Sequence, residues 1–134
     1  MGALNRLAQR LFVKIKRRIG DMSDCIFCKL ASGEIPTDMV YEDDMIAVFR
    51  DTAPQAPVHM LMVPKTHVAS LDDLGDEHAE LMAHMMLKIK EVAAKEGLDN
   101  GYRCVINTGE DGQQTVKHLH IHILGKRAMQ WPPG

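Results

Sequence analysis

His118-Leu119-His120-Ile121-His122-Ile123-Leu124 is the stretch on which the fold turns. Successive side chains of a strand point to opposite faces. The alternation therefore predicts a strand with three imidazoles on one face and Leu119, Ile121 and Ile123 in a core on the other. An imidazole near neutral pH is a base, a nucleophile or a metal ligand, so the polar face is a candidate site as well as a structural element. A histidine-rich polar strand is the bland alternative, and the strictness of the alternation speaks against it.

Outward from that strand, Gly109-Glu110-Asp111-Gly112 reads as a turn and Tyr102 to Asn107 as the strand before it. Asp76 opens a long helix whose buried stripe is Leu81, Met85, Ile89 and Val92, closed by Gly97. Val58 to Val63 is an apolar strand interrupted by His59 and ended by Pro64. Val40-Tyr41-Glu42 and Ile46-Ala47-Val48-Phe49 flank Asp43-Asp44 as a hairpin. Asp24 is placed to cap a short helix from Ile26 to Ser32, with Gly33 at its end. Several antiparallel strands with one long and one short helix make an α+β fold. The 134 residues suffice for one modest core, and no repeat or linker interrupts residues 23–134.

Residues 1–22 stand apart. Leu4, Leu7, Leu11, Ile15 and Ile19 recur at helical spacing among Arg6, Arg10, Lys14, Lys16, Arg17 and Arg18. This is a basic amphipathic pattern, without the apolar run of a membrane span or secretory signal. It suits an anionic membrane surface, a loosely ordered extension, or a start codon set too early, since Met22-Ser23-Asp24 is itself a plausible beginning. Membrane contact is expected only if that helix forms. The remainder is acidic, which argues against nucleic-acid binding. Three cysteines, Cys25, Cys28 and Cys104, are not a disulfide framework. They imply a reducing compartment, hence a cytoplasmic protein.

Cys25-Ile26-Phe27-Cys28 is moderately specific. A thioredoxin-like motif lacks its preceding strand here. Two small buried cysteines at a helix start are one reading. Half of a closed Cys2His2 zinc site is the other, with His59 and the histidine row as candidates for the remaining ligands. His67 reads as a loop or strand-end residue, His78 and His84 as solvated, and Cys104 as core.

From Cys25 to Gly134 the chain resembles the histidine triad superfamily, whose signature is the alternating histidines followed by apolar residues. The match is nearest the Hint branch of nucleotide-binding phosphoramidases, in its CxxC-bearing bacterial variant. Ile26-Phe27-Cys28-Lys29, Glu34-Ile35-Pro36, Tyr41-Glu42-Asp43-Asp44, Pro54-Gln55-Ala56-Pro57, Val63-Pro64-Lys65, Gly112-Gln113-Gln114 and Trp131-Pro132-Pro133-Gly134 carry it.

The resemblance implies about five antiparallel strands, a homodimer with a continuous sheet, and a pocket for a purine nucleoside monophosphate or its phosphoramidate. His120 would be the nucleophile and His122 a donor to the phosphate. Asn107, Gln114 and Thr115 would lie at the phosphate and leaving group, and Asp51 at the ribose. Ile26, Phe27, Leu30, Ile35, Phe49 and Thr52 would surround the base. Structural zinc would be held by Cys25, Cys28, His59 and His118. Thr115 replaces a usual serine, keeping the hydroxyl while narrowing its rotamers, and Thr52 replaces a larger apolar residue. The implied reaction is hydrolysis of nucleoside 5′-phosphoramidates through a nucleotidyl-histidine. The rivals are a dinucleoside polyphosphate hydrolase or nucleotidyltransferase of the same superfamily, a zinc hydrolase using two triad histidines as ligands, and a non-catalytic nucleotide-binding dimer.

Overall fold

A computed structural model describes residues 24–134. The basic extension, and the membrane contact that depends on it, lie outside the described residues. The chain runs through helix α1 (Ile26–Ser32), strands β1 (Met39–Glu42), β2 (Ile46–Arg50) and β3 (Val58–Pro64), helix α2 (Ala79–Lys95), and strands β4 (Tyr102–Val105) and β5 (Ile121–Gly125). The five strands form one antiparallel sheet in the order β1-β2-β3-β5-β4. No helix among the described residues is long and apolar enough to cross a membrane.

The period-two alternation sorts the strands onto two faces. Val48, Met60, Met62, Ile121 and Ile123 pack against Leu81, Met85, Ile89 and Val92 of α2. Ala47, Phe49, Leu61 and Val63 face the other way, against Phe27 and Ala31 of α1. The site is built on this second face, where the even-numbered residues of β5 also point. Helix α2 ends in a paired cap: Gly97 N–H donates to Ala94 O and Leu98 N–H to Ala93 O. The cap needs φ of +73° at Gly97, which glycine adopts without strain.

The β1–β2 turn is tied to α2 through Asp43. Its carboxylate accepts from Tyr41 Oη (2.7 Å), His84 Nε2 (2.6 Å) and the backbone N–H groups of Met45 and Ile46 (2.8 and 2.9 Å). His84 is therefore bonded rather than simply solvated. Burial would raise the Asp43 pKa, but these four donors together hold it well below the usual 3.8. A carboxylate with a depressed folded pKa stabilises above its unfolded pKa and loses that contribution as the pH falls toward the folded value. Asp43→Ala is expected to cost about 2 kcal/mol at pH 7. In urea melts the deficit relative to wild type should shrink below about pH 4; a deficit equal at pH 7 and pH 3 would contradict the assignment.

Three local expectations are corrected. Cys25, not Asp24, caps α1, its sulfur accepting from Cys28 N–H at 3.4 Å. Cys104 is exposed on β4, because that strand is the sheet edge. The β5 ladder begins only at Ile121. Upstream of it, Leu119 N–H donates to Val68 O at 2.7 Å instead of to β3. The alternation survives across that boundary, with Leu119 and His118 both almost fully buried.

Candidate functional site

Two constellations share the α1 face of the sheet. In the first, Cys25 Sγ, Cys28 Sγ, His67 Nδ1 and His118 Nδ1 all lie within 4.8 Å of one another. The close pairs are Cys25–His118 at 3.3 Å, Cys28–His67 at 3.2 Å, Cys28–His118 at 3.5 Å and His67–His118 at 3.1 Å. A tetrahedral zinc with bonds of about 2.0–2.3 Å holds its donors roughly 3.3–3.8 Å apart, so the set fits. His118 Nε2–H donates to Pro64 O at 2.8 Å, fixing the tautomer that turns Nδ1 toward the thiols. Burial, reinforced by His67 and His120, outweighs the Pro64 bond and lowers the His118 pKa to about 4, so its imidazole is neutral as ligation requires. Burial and the neighbouring Cys25 push the Cys28 thiol up to about 12. A divalent ion reverses that by displacing the protons.

The fourth side chain of this cluster is His67 rather than the expected His59, and the sheet register gives the reason. β3 and β5 pair with His59 opposite Leu124 and Leu61 opposite His122. Extended to His118, that register ends near Lys65, six residues or roughly 20 Å along β3 from His59. His67 lies just past that end.

The second constellation lines an open cleft of about 910 Å³. Ile26, Phe27, Leu30, Ile35, Phe49, Asp51, Thr52, Asn107, Thr115, His120 and His122, all singled out through the family resemblance, border it. Gln114 does not. Its amide donates to Ala69 O and Val116 O and its carbonyl accepts from Gly109 N–H, so it braces the loop, while Gln113 reaches the cleft. Gly112 in this loop admits no side chain, because a Cβ there would strike the Thr108 backbone.

Backbone bonds set the imidazole tautomers. His120 Nδ1–H donates to the His118 carbonyl at 2.6 Å, which leaves the Nε2 lone pair free. The Phe27 ring meets the His120 ring edge-on at 4.9 Å between centroids. His59 Nδ1 accepts from Gln55 N–H at 3.0 Å, so neutral His59 carries its proton on Nε2 and donates to His122 Nδ1 at 2.9 Å. His122 then carries its own proton on Nε2. Burial, with His120 and His59 beside it, lowers the His122 pKa to about 4; burial also lowers that of His59 against the pull of Asp51. Asp51, His59 and His122 are close enough to suit an ion. However, a ring that accepts an N–H at Nδ1 has its proton at Nε2 and no lone pair there to ligate. His59 and His122 are a hydrogen-bonded pair, with the Asp51 carboxylate 3.4 Å from His59 Nε2.

The family described as "Scavenger mRNA decapping enzyme C-term binding" matches residues 24–131. An uncharacterised HIT-like protein of Synechococcus elongatus is 57% identical over 83% of this chain and 97% of its own length. The crystal structure of a HIT family hydrolase from Legionella pneumophila superposes with a TM-score of 0.81 at 49% identity, covering 83% of this chain and all of that one. The chain belongs to the histidine triad family. A Zn-bound histidine triad protein from Mycobacterium smegmatis, 34% identical with a TM-score of 0.67, covers 79% of this chain and 77% of its own. It is a relative in which the metal is present, which accords with the cysteine–histidine centre found here. Zinc bound at this centre would act structurally, tying α1 and the loop carrying His67 to the approach of β5. A closed Cys2His2 set leaves no position for substrate.

Proposed function

We propose that this histidine triad protein is a hydrolase of the Hint branch that cleaves nucleoside 5′-phosphoramidates, AMP or GMP joined to an amine, through a covalent nucleotidyl-His120. The observation that carries the reading is the 2.6 Å bond from His120 Nδ1–H to the His118 carbonyl. It commits Nδ1 and leaves Nε2 of a ring that borders the cleft available to attack, and it disperses the positive charge that grows on the ring as the N–P bond forms.

The P–N electron pair then leaves with the amine, which takes its proton from water, while His122 Nε2–H, oriented by His59, donates a hydrogen bond to the phosphoryl oxygens. Asn107 and Thr115 hold the phosphoryl oxygens and leaving group, and water hydrolyses the adduct in the second step. Phe27, Phe49, Ile26 and Leu30 offer apolar surface to either purine, with few polar groups to read its edge. A second copy would pair along β4, whose exposed Tyr102 lies on the free sheet edge.

Asp51 borders the cleft and, among the described residues, its carboxylate accepts from Ala53 N–H, with His59 Nε2 at 3.4 Å, so it has capacity for two ribose hydroxyls. Each such bond to a carboxylate contributes about 1.5–3 kcal/mol. 2′-Deoxy substrates should therefore lose at least about tenfold in kcat/KM. Asp51→Asn should erase most of that discrimination; an undiminished ribose preference would contradict the assignment.

Adenosine and guanosine phosphoramidates, compared with dinucleoside polyphosphates as substrates, test the reaction class. Faster turnover of the dinucleoside polyphosphates would move the protein to the rival hydrolase class.

A further inference from the structure

We propose that Cys25 and Cys28 are a modification site, at which a low-molecular-weight disulfide oxidises the zinc-bound thiolates to an intramolecular disulfide and expels the ion. The inference rests on the metal centre and not on the phosphoramidase reading. Both sulfurs come from one turn of chain and lie within 4.8 Å of each other. Cys25 sits at the cap of α1 with extended backbone (φ −76°, ψ 115°), free of the helical constraint on Cys28. A small swing there brings the pair to bonding distance.

Access comes from a cleft of about 500 Å³, separate from the His120 ring, which Cys25 and His67 line directly. Asp24 and Lys117 on its wall offer one charge of each sign, matching a zwitterionic reagent such as oxidised glutathione. Thr115 borders both this cleft and the His120 cleft.

The step balances as an ordinary exchange. One zinc-bound thiolate attacks a sulfur of the reagent, forming a mixed disulfide and releasing one thiolate. The second cysteine attacks the protein sulfur of that intermediate and releases the other. The two released thiolates take protons from water, so two electrons pass from the cysteines to the reagent. The oxidised chain would offer an ion only the two imidazoles of His67 and His118 and no thiolate, and so would release it. The His118 ring keeps its Pro64 bond but loses its metal anchor, and the His118 carbonyl is what orients His120.

The test uses zinc-loaded Cys104→Ser protein, so that Cys25 and Cys28 are its only thiols. It is exposed to oxidised glutathione with a chromogenic zinc chelator present, and then weighed intact. The expected result is equimolar zinc release with a product two hydrogens lighter than the reduced metal-free chain, restored by dithiothreitol and zinc. Phosphoramidate hydrolysis, if present, should fall roughly tenfold or more and recover with the metal. Zinc retained throughout, stable glutathione adducts on either cysteine, or a reconstituted protein that takes up no zinc would each overturn the proposal.

Discussion

His120→Ala should lower kcat for adenosine phosphoramidate hydrolysis by roughly four orders of magnitude while changing AMP affinity only a few-fold. The asymmetry follows from what the ring touches. Its Nδ1 is committed to the His118 carbonyl and its face to Phe27. The remaining nitrogen meets phosphorus, an interaction made chiefly in the transition state. Affinity resides instead with Asp51 and the apolar walls. His120→Asn, closer in volume, should be equally inactive, which separates lost chemistry from a collapsed cleft. A non-catalytic nucleotide-binding dimer predicts no turnover in the wild type to lose. A zinc hydrolase predicts that a chelator stops turnover at once, before any unfolding.

Removing the metal should act on stability first. Four donors converge only in the folded chain, so zinc binds the native state and stabilises it by mass action. At a thousandfold excess over its dissociation constant the ion contributes about 4 kcal/mol. For a domain of this size that is roughly 15 °C in melting temperature. Cys28→Ser and His67→Ala are each expected to lose stoichiometric zinc and melt lower by about that amount, in differential scanning with metal analysis. His59→Gln should retain its zinc, because His59 is bonded to His122. Zinc lost from the His59 variant but kept by the His67 variant would reverse the ligand assignment.

Much of this was legible from the residues. Alternation in residues 118–124 and the stripe on α2 specified which side chains face which layer, and the cleft gathers nearly every residue expected of it. What failed did so for identifiable reasons. His59 lies near the start of β3 and His67 just past its end, and ligand spacing cannot choose between them. The choice needs the β3–β5 register, which follows from pairing His122 with Leu61. Gln113 and Gln114 are neighbours in a tight loop, where φ of +59° at Gln113 turns one side chain outward and the other into the loop. No periodicity foretells such a reversal. Cys104 was apolar enough for a core strand, but its strand became the sheet edge. His84 found Asp43 because α2 crosses above the β1–β2 turn, a tertiary contact with no local signal.

The central claim is the covalent step at His120. Rapid base quenching of wild-type protein with a radiolabelled adenosine phosphoramidate, followed by peptide mapping at alkaline pH, tests it most directly. The account predicts an adenylyl group on His120 that forms within the first turnover, survives base, is lost in acid, and decays at a rate no slower than kcat. Steady turnover with no adduct, or with the label on another residue, would contradict it.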